Sequence, residues 1–193
     1  KPRNLLVESI VRLDVELCLA QAESIPNSNW ERIQPMQIVP QRMQVEREND
    51  RKGICLAGKE LRIASHNLHF GEEPPISGIG GSGTIFFSGC SLKCIFCQNF
   101  PISQFNNGKY YSIDELASIL IDLQKRGAHN INLVSPTPYL YHFVSALRIA
   151  AGEGLNIPIV FNSGGYERVE IIKELEGIVD IYMPDYKYSD PEI

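Results

Sequence analysis

The sequence has 193 residues, of which 44% are hydrophobic and 21% charged; this predicts a packed domain and excludes a wholly disordered chain. Its net charge of −5 argues against nucleic-acid binding as the main role, and it has no uninterrupted apolar run of the ~18 residues that a membrane span needs. Five cysteines, three of them within eight residues, favour a metal site in a reducing cytoplasm over a secreted disulfide framework.

The first 60 residues are predicted to form an N-terminal arm. Apolar residues recur at helical spacing over 5–23, which predicts an amphipathic helix. Residues 26–53 combine three prolines with a charged run, and we expect an irregular arm or linker there. The short apolar stretches within 54–76 predict a small β-rich or looped lead-in to the main domain.

Residues 61–193 are predicted to form the main domain, in which strand and helix patterns alternate. The predicted elements in chain order are strand 84–88, helix 113–126, strand 131–134, helix 139–152, strand 158–161, helix 167–175 and strand 178–183. A capping box of Ser112 and Glu115 opens the first of these helices. The alternation predicts an α/β fold of parallel strands joined by right-handed crossovers. Because the fourth strand would leave an unpaired parallel edge, we expect the natural protein to continue beyond it.

A loop with three cysteines follows the first of these predicted strands. Cys90, Cys94 and Cys97 have the spacing C-x3-C-x2-C, and three thiolates at that spacing can wrap a soft metal centre. A structural zinc site normally needs four ligands, whereas the other two cysteines, Cys18 and Cys55, stand alone. In an iron–sulfur cluster, three thiolates would leave one iron open to an exogenous ligand. The alternative, three buried cysteines acting as small hydrophobes, fits poorly with so polar a loop.

The cysteine spacing, with the aromatic Phe96 directly before the last cysteine, resembles the signature of radical S-adenosylmethionine (SAM) enzymes. The wider stretch 69–90 is similar to uncharacterised relatives of pyruvate formate-lyase activating enzyme, as are 127–137 and 161–166. The resemblance extends from near residue 60 to residue 193. It implies a partial (βα) barrel of the radical SAM type, truncated after its fourth strand and preceded by the N-terminal arm.

The resemblance also implies the chemistry of a radical SAM oxidoreductase. A 4Fe–4S cluster would be bound by the three cysteines, and SAM would chelate the fourth iron. One electron would then cleave SAM to methionine and a 5′-deoxyadenosyl radical, which abstracts a hydrogen from the substrate. Phe96 would lie near the adenine; the alternative is a core aromatic. By analogy the substrate is a glycine in a partner protein, the reductant is a flavodoxin or ferredoxin, and the enzyme is cytoplasmic.

Polar side chains also follow the other three predicted strands, at the end where a βα barrel carries its active site. They are Ser135 and Thr137 after the second strand, Asn162 and Ser163 after the third, and Asp185 and Lys187 after the fourth. In the resembling enzymes a Gly-Gly-Glu segment after the second strand holds the amino group of SAM. This chain has Ser-Pro-Thr-Pro there, so we expect Ser135 or Thr137 to replace it.

The segments after the third and fourth strands supply oxygen ligands to a monovalent cation in the resembling enzymes. Asn162 stands here where those enzymes have an aspartate, which removes one charge from such a site. Asp185 and Lys187 lie two positions apart at a strand end and are expected to pair. The alternative for this pair is a surface ion pair worth less than about 1 kcal/mol.

Two other functions fit the same residues. One is a radical SAM maturase of another peptide or small molecule, and the other is an iron–sulfur electron-transfer or binding module without turnover. The G-x-G-x-x-G pattern at 78–83 is not interpreted as a dinucleotide site, because a strand follows it where that site needs a helix. His129 is expected to be a structural hydrogen-bonding residue, while His69 and Glu72 are weaker candidates for assisting a substrate or binding a metal.

Overall fold

The fold is that of a computed structural model, which describes residues 52–187. The predicted helix at 5–23, with Cys18, and nearly all of the predicted arm at 26–53 lie outside the described residues. Within 52–187, no helix combines the length and the hydropathy that crossing a membrane requires.

The described residues form an α/β fold around one six-stranded sheet. In chain order the elements are β1 (Leu61–His69), α1 (Pro74–Ser77), β2 (Ser82–Phe87), α2 (Phe100–Ser103), β3 (Lys109–Tyr111), α3 (Ile113–Lys125), β4 (Ile131–Val134), a 3-10 turn (Thr137–Tyr139), α4 (Leu140–Gly152), β5 (Ile159–Ser163), α5 (Val169–Glu174) and β6 (Ile181–Pro184). The strand order is β3-β1-β2-β4-β5-β6. Strands β2, β4, β5 and β6 are parallel, and β1 is antiparallel to both β2 and β3.

The four predicted parallel strands and the helices between them are confirmed. The capping box at the start of α3 is also confirmed: the Ser112 hydroxyl accepts the Glu115 N–H at 3.1 Å, and the Glu115 carboxylate accepts the Ser112 N–H at 2.7 Å. The last strand begins later than predicted. Ile178 and Val179 are buried in the turn before β6, so the apolar sequence pattern starts three residues before the strand does.

One hydrophobic core lies on the helical face of the sheet. Alternate strand residues such as Ile85, Leu133 and Phe161 pack there with Leu120 of α3 and Phe143 of α4, and all five are at most 1% exposed. Burying each such side chain stabilises the fold by about 1.5–3 kcal/mol. Because successive strand side chains point to opposite faces, the residues between these core positions lie on the other face, called here the inner face.

Strands β1 and β3 differ from the prediction, which had only a short β-rich or looped lead-in over 54–76. β1 is a nine-residue strand that pairs along β2, and β3 adds to its outer side. The polar run from Ser65 to Asn67 interrupts the hydrophobic alternation that would have indicated so long a strand. Among the described residues, β6 pairs only with β5 and so forms one edge of the sheet.

The glycine-rich segment at 78–83 leads into a strand, as expected, and not into the helix of a dinucleotide site. Its glycines allow close backbone approach, since a Cβ on Gly83 would lie 2.8 Å from the Asn130 carbonyl oxygen. His129 has the structural role that was predicted: its Nε2 accepts the Gly80 N–H at 2.8 Å.

Candidate metal centre

The three cysteines lie on the loop between β2 and α2, at the carboxyl end of β2. Cys94 is buried, Cys90 and Cys97 are half-buried, and all three are free thiols. The Leu92 N–H donates to the Cys90 sulfur at 3.4 Å, and the Cys97 sulfur lies 3.2 Å from the Ser103 hydroxyl oxygen. The backbone N–H bond to Cys90 favours the thiolate of that cysteine, which is the form that binds metals.

The backbone on both sides of the cysteine loop packs against neighbouring segments and is hydrogen-bonded to them. Gly89 has a φ of 82°, and a Cβ at this position would overlap the backbone carbonyl of Cys55. The Gly89 N–H donates to the Ile102 carbonyl at 3.0 Å, while the Gln104 side chain donates to the Cys94 carbonyl at 3.1 Å. Glycine is therefore required directly before the first cysteine, and the following segment fixes the loop from the other side.

The three thiols lie near one another but do not form a preorganised site for a single metal ion among the described residues. Within residues 52–187, no three His, Cys, Asp or Glu side chains converge on one point as a single ion requires. Cys94 and Cys97 are nevertheless close enough to Cys90 for their charges to act on it. In an iron–sulfur cluster each thiolate binds a different iron, so the sulfurs surround the cluster and need not converge. Three free thiols on one loop are the ligand set that a cluster with one open iron would use.

Burial raises the pKa of the Cys90 thiol. The charges of Cys97 and Cys94 raise it further, while hydrogen bonds from the Leu92 N–H and the Ser135 side chain oppose the rise. Cys90 is therefore protonated at neutral pH before metal binds, and binding must release its proton.

The Ser135 interaction shows that the end of β4 reaches the cysteine loop. Ser135 has a φ of 55°, a left-handed conformation that is uncommon for residues other than glycine. Its N–H donates to the Asn162 carbonyl at 2.9 Å, which ties the end of β4 to β5. The backbone therefore brings one predicted site residue, Ser135, directly to the first cysteine.

Glu167 joins two other predicted site residues. The Thr137 hydroxyl donates to one carboxylate oxygen of Glu167 at 2.7 Å, and the Ser163 hydroxyl donates to the other at 2.8 Å. The Ser163 oxygen also accepts the Gly165 N–H at 3.2 Å. No Lys, Arg or His of the described chain forms an ion pair with Glu167. The carboxylate is thus fixed by two hydroxyls but has no charged partner among residues 52–187.

Glu167 is not among the predicted site residues, because its sequence pattern places it at the start of a helix. The observed helix α5 begins two residues later, at Val169, and leaves Glu167 in the loop after β5. The usable signal was a carboxylate only four residues after Ser163, in a loop at the active-site end of the strands.

Asp185 and Lys187 pair as expected, with 2.6 Å between Lys187 Nζ and Asp185 Oδ2. Burial lowers the pKa of Lys187, but the hydrogen bond and charge of Asp185 and the charges of Cys94 and Cys90 outweigh it, so the net pKa is raised. The side chain of Lys187 is 25% exposed and that of Asp185 55% exposed, so the ammonium group is the more buried end of the pair.

The ends of β5 and β6 meet the same loop at Gly164. A Cβ on Gly164 would lie 2.6 Å from Leu92 Cδ1 and 3.8 Å from Lys187 Cε. Phe96, in contrast, is 56% exposed and lies outside the hydrophobic core of the described residues. The structure therefore brings Ser135 and Lys187 to the cysteine loop, places Thr137 and Ser163 on Glu167, and leaves Phe96 on the surface of the loop.

Two comparisons with known proteins identify relatives of this chain. The sequence profile of the Radical SAM superfamily matches residues 84–193, more than half of the chain. The chain is also similar to the uncharacterized protein MJ0674 of Methanocaldococcus jannaschii, with 39% identity over 160 residues. That match covers 78% of this chain and 45% of the relative, so the chain spans about half the length of the curated relative. Neither comparison names a substrate.

Proposed function

The chain belongs to the Radical SAM superfamily, and on this premise we propose that it is a radical SAM oxidoreductase that binds a 4Fe–4S cluster through Cys90, Cys94 and Cys97. The observation that carries the proposal is the placement of three free thiols on one loop at the carboxyl end of β2, beside Ser135 and Lys187 from neighbouring strand ends. When bound, the reduced cluster supplies the electron that cleaves SAM to methionine and a 5′-deoxyadenosyl radical.

The remaining residues bind and orient SAM. Glu167 accepts the ammonium group of SAM, because its carboxylate is held in place by two hydroxyls and lacks a charged partner within 52–187. The hydroxyls of Thr137 and Ser163 then act as positioning groups and do not contact SAM themselves. This role for Glu167 replaces the Gly-Gly-Glu segment of the resembling enzymes, which the chain lacks.

Lys187, held by Asp185 beside the cysteine loop, donates a hydrogen bond to the carboxylate of SAM, and Phe96, which is 56% exposed, packs against the adenine. Asn162 and Asp185 offer oxygens for a monovalent cation at the ends of β5 and β6. Asp185 is already neutralised by Lys187, so such a cation would bind weakly.

A polypeptide glycine is the proposed hydrogen donor, with a flavodoxin or ferredoxin as reductant. Apolar side chains beside the cysteine loop support a protein partner: Ile95 is 99% exposed and Phe105 is 64% exposed. A radical SAM maturase of another peptide or small molecule would use the same machinery on a different substrate.

The test is SAM cleavage by the full chain after anaerobic reconstitution with iron and sulfide and reduction with dithionite. We expect 5′-deoxyadenosine from the wild type and none from Cys94→Ala. Cys55→Ala removes a buried cysteine outside the loop and is the matched control, which should retain cleavage. A wild type that carries the cluster but forms no 5′-deoxyadenosine would contradict the proposal and favour an electron-transfer module.

A further inference from the structure

The inner face of the sheet carries a buried amide that the proposed cofactor site does not use. Asn132 lies in the middle of β4, between Thr84 of β2 and Val160 of β5. Its neighbours Ile131 and Leu133 point into the hydrophobic core, so Asn132 points to the inner face. Its side chain is fully buried, yet neither Nδ2 nor Oδ1 has a hydrogen-bond partner in the structure.

A buried amide without partners is costly, because it loses its hydrogen bonds to water and gains none in return. A leucine would fill the same space without that cost. Asn132 also lies three residues before Ser135, which is about 10 Å along an extended strand. The position is therefore within reach of a substrate bound at the carboxyl ends of the strands.

Glu72 lies close to this amide. It stands on the loop after β1, where the Ser77 hydroxyl donates to its carbonyl at 3.2 Å, and it is partly exposed. Burial raises the pKa of its carboxyl, as do Glu73 and Asp185, while His69 and a long hydrogen bond with the Asn132 side chain lower it. Glu72 is thus a partly exposed carboxyl beside the buried Asn132 amide, at more than the normal length of a hydrogen bond.

We propose that Asn132 and Glu72 form a subsite that binds the main chain of an extended peptide substrate. The N–H and C=O of one extended residue point to the same side, so they can bond to Asn132 Oδ1 and Nδ2 together. The Glu72 carboxylate is a second acceptor beside them, and its side chain moves aside to admit the peptide. The inference rests on the proposed function, because it identifies the substrate of that site as a polypeptide.

The probe is N-acetyltriglycine N-methylamide, and its binding to the reconstituted full chain in the presence of SAM is followed by saturation-transfer NMR. We expect saturable binding to the wild type that is at least about tenfold weaker in Asn132→Leu, which removes two hydrogen bonds, and weaker by a smaller factor in Glu72→Gln. Thr84→Val, on the neighbouring strand in the same row, is the matched control and should bind as the wild type does.

Thermal melting separates binding from folding. Asn132→Leu should melt at the same temperature as the wild type or higher, since it removes two unpartnered polar atoms. A depsipeptide probe, in which esters replace the amides, should bind at least about tenfold more weakly because it lacks the N–H donors. Equal binding by wild type and Asn132→Leu, absence of saturable binding, or equal binding of the depsipeptide would overturn the subsite.

SAM cleavage on the same preparation keeps the two proposals distinct. Cleavage without peptide binding would overturn the subsite and leave the proposed function intact. Peptide binding that depends on Asn132, without SAM cleavage, would overturn the proposed function and leave the subsite intact.

Discussion

Replacing Glu167 tests whether its carboxylate stabilises the loops that follow β4 and β5. Glu167→Ala removes the acceptors of the Thr137 and Ser163 hydroxyls, which donate at 2.7 and 2.8 Å. Hydrogen bonds to a charged group contribute about 1.5–3 kcal/mol when buried, and partial exposure reduces each to about 1 kcal/mol. The variant should therefore lose about 2 kcal/mol, which lowers the Tm of a domain this size by about 4–8 °C.

The assay is calorimetric melting of the full chain together with equilibrium dialysis of SAM. Glu167→Gln keeps one oxygen acceptor, so it should lose about half as much stability as Glu167→Ala. Both variants should bind SAM at least about tenfold more weakly, because both lack the charge that accepts the ammonium group. Glu170→Ala breaks an exposed ion pair on the same segment and should change neither quantity. A Glu167→Ala variant with the Tm and the SAM affinity of the wild type would refute the reasoning.

Three further substitutions test the packing of the loop and the electrostatics of the sheet. Gly164→Ala places a methyl group 2.6 Å from Leu92 Cδ1 and should lower the iron bound per chain on reconstitution. Adding Leu92→Ala should restore the iron content, and unchanged iron content in the single variant would contradict the contact. Gly89→Ala should leave the purified chain without a cluster, because the left-handed backbone and a neighbouring carbonyl exclude a Cβ; a fully loaded variant would show that the loop adapts. Burial raises the pKa of Asp180, and the hydrogen bond from the Ile159 N–H opposes this rise only in part. Just above the ordinary aspartate pKa, Asp180 is therefore protonated more often in the folded state than in the unfolded state. The Asp180 carboxyl therefore stabilises the fold less as pH rises above the ordinary aspartate pKa of about 4, and the Tm of Asp180→Asn relative to the wild type should increase over that rise. A difference independent of pH would count against this.

The parts of the fold that sequence could predict are those with local causes. β4 has the predicted bounds because its apolar run is short and enclosed by turn residues on both sides. The start of α3 was predictable because Ser112 and Glu115 satisfy each other's backbone N–H groups within one turn. The order of the parallel strands follows from the alternation of strands and helices.

The parts that sequence could not predict depend on distant contacts. β1 carries polar residues on its inner face, and only its pairing with β2 makes it a nine-residue strand. The three cysteines were identifiable from their spacing alone, but the role of Glu167 depends on two hydroxyls from separate strand ends. Asn132 likewise appears in the sequence as one polar residue in an apolar run, and its isolation is visible only in the folded sheet.

The central claim is that three cysteines hold a cluster whose remaining iron is open to SAM. Mössbauer spectroscopy of the full chain reconstituted with iron-57, before and after addition of SAM, tests it most directly. We expect a four-iron cluster in which one iron changes its isomer shift when SAM binds while the other three do not. A spectrum that SAM leaves unchanged, or reconstituted protein that holds zinc in place of the cluster, would contradict the assignment.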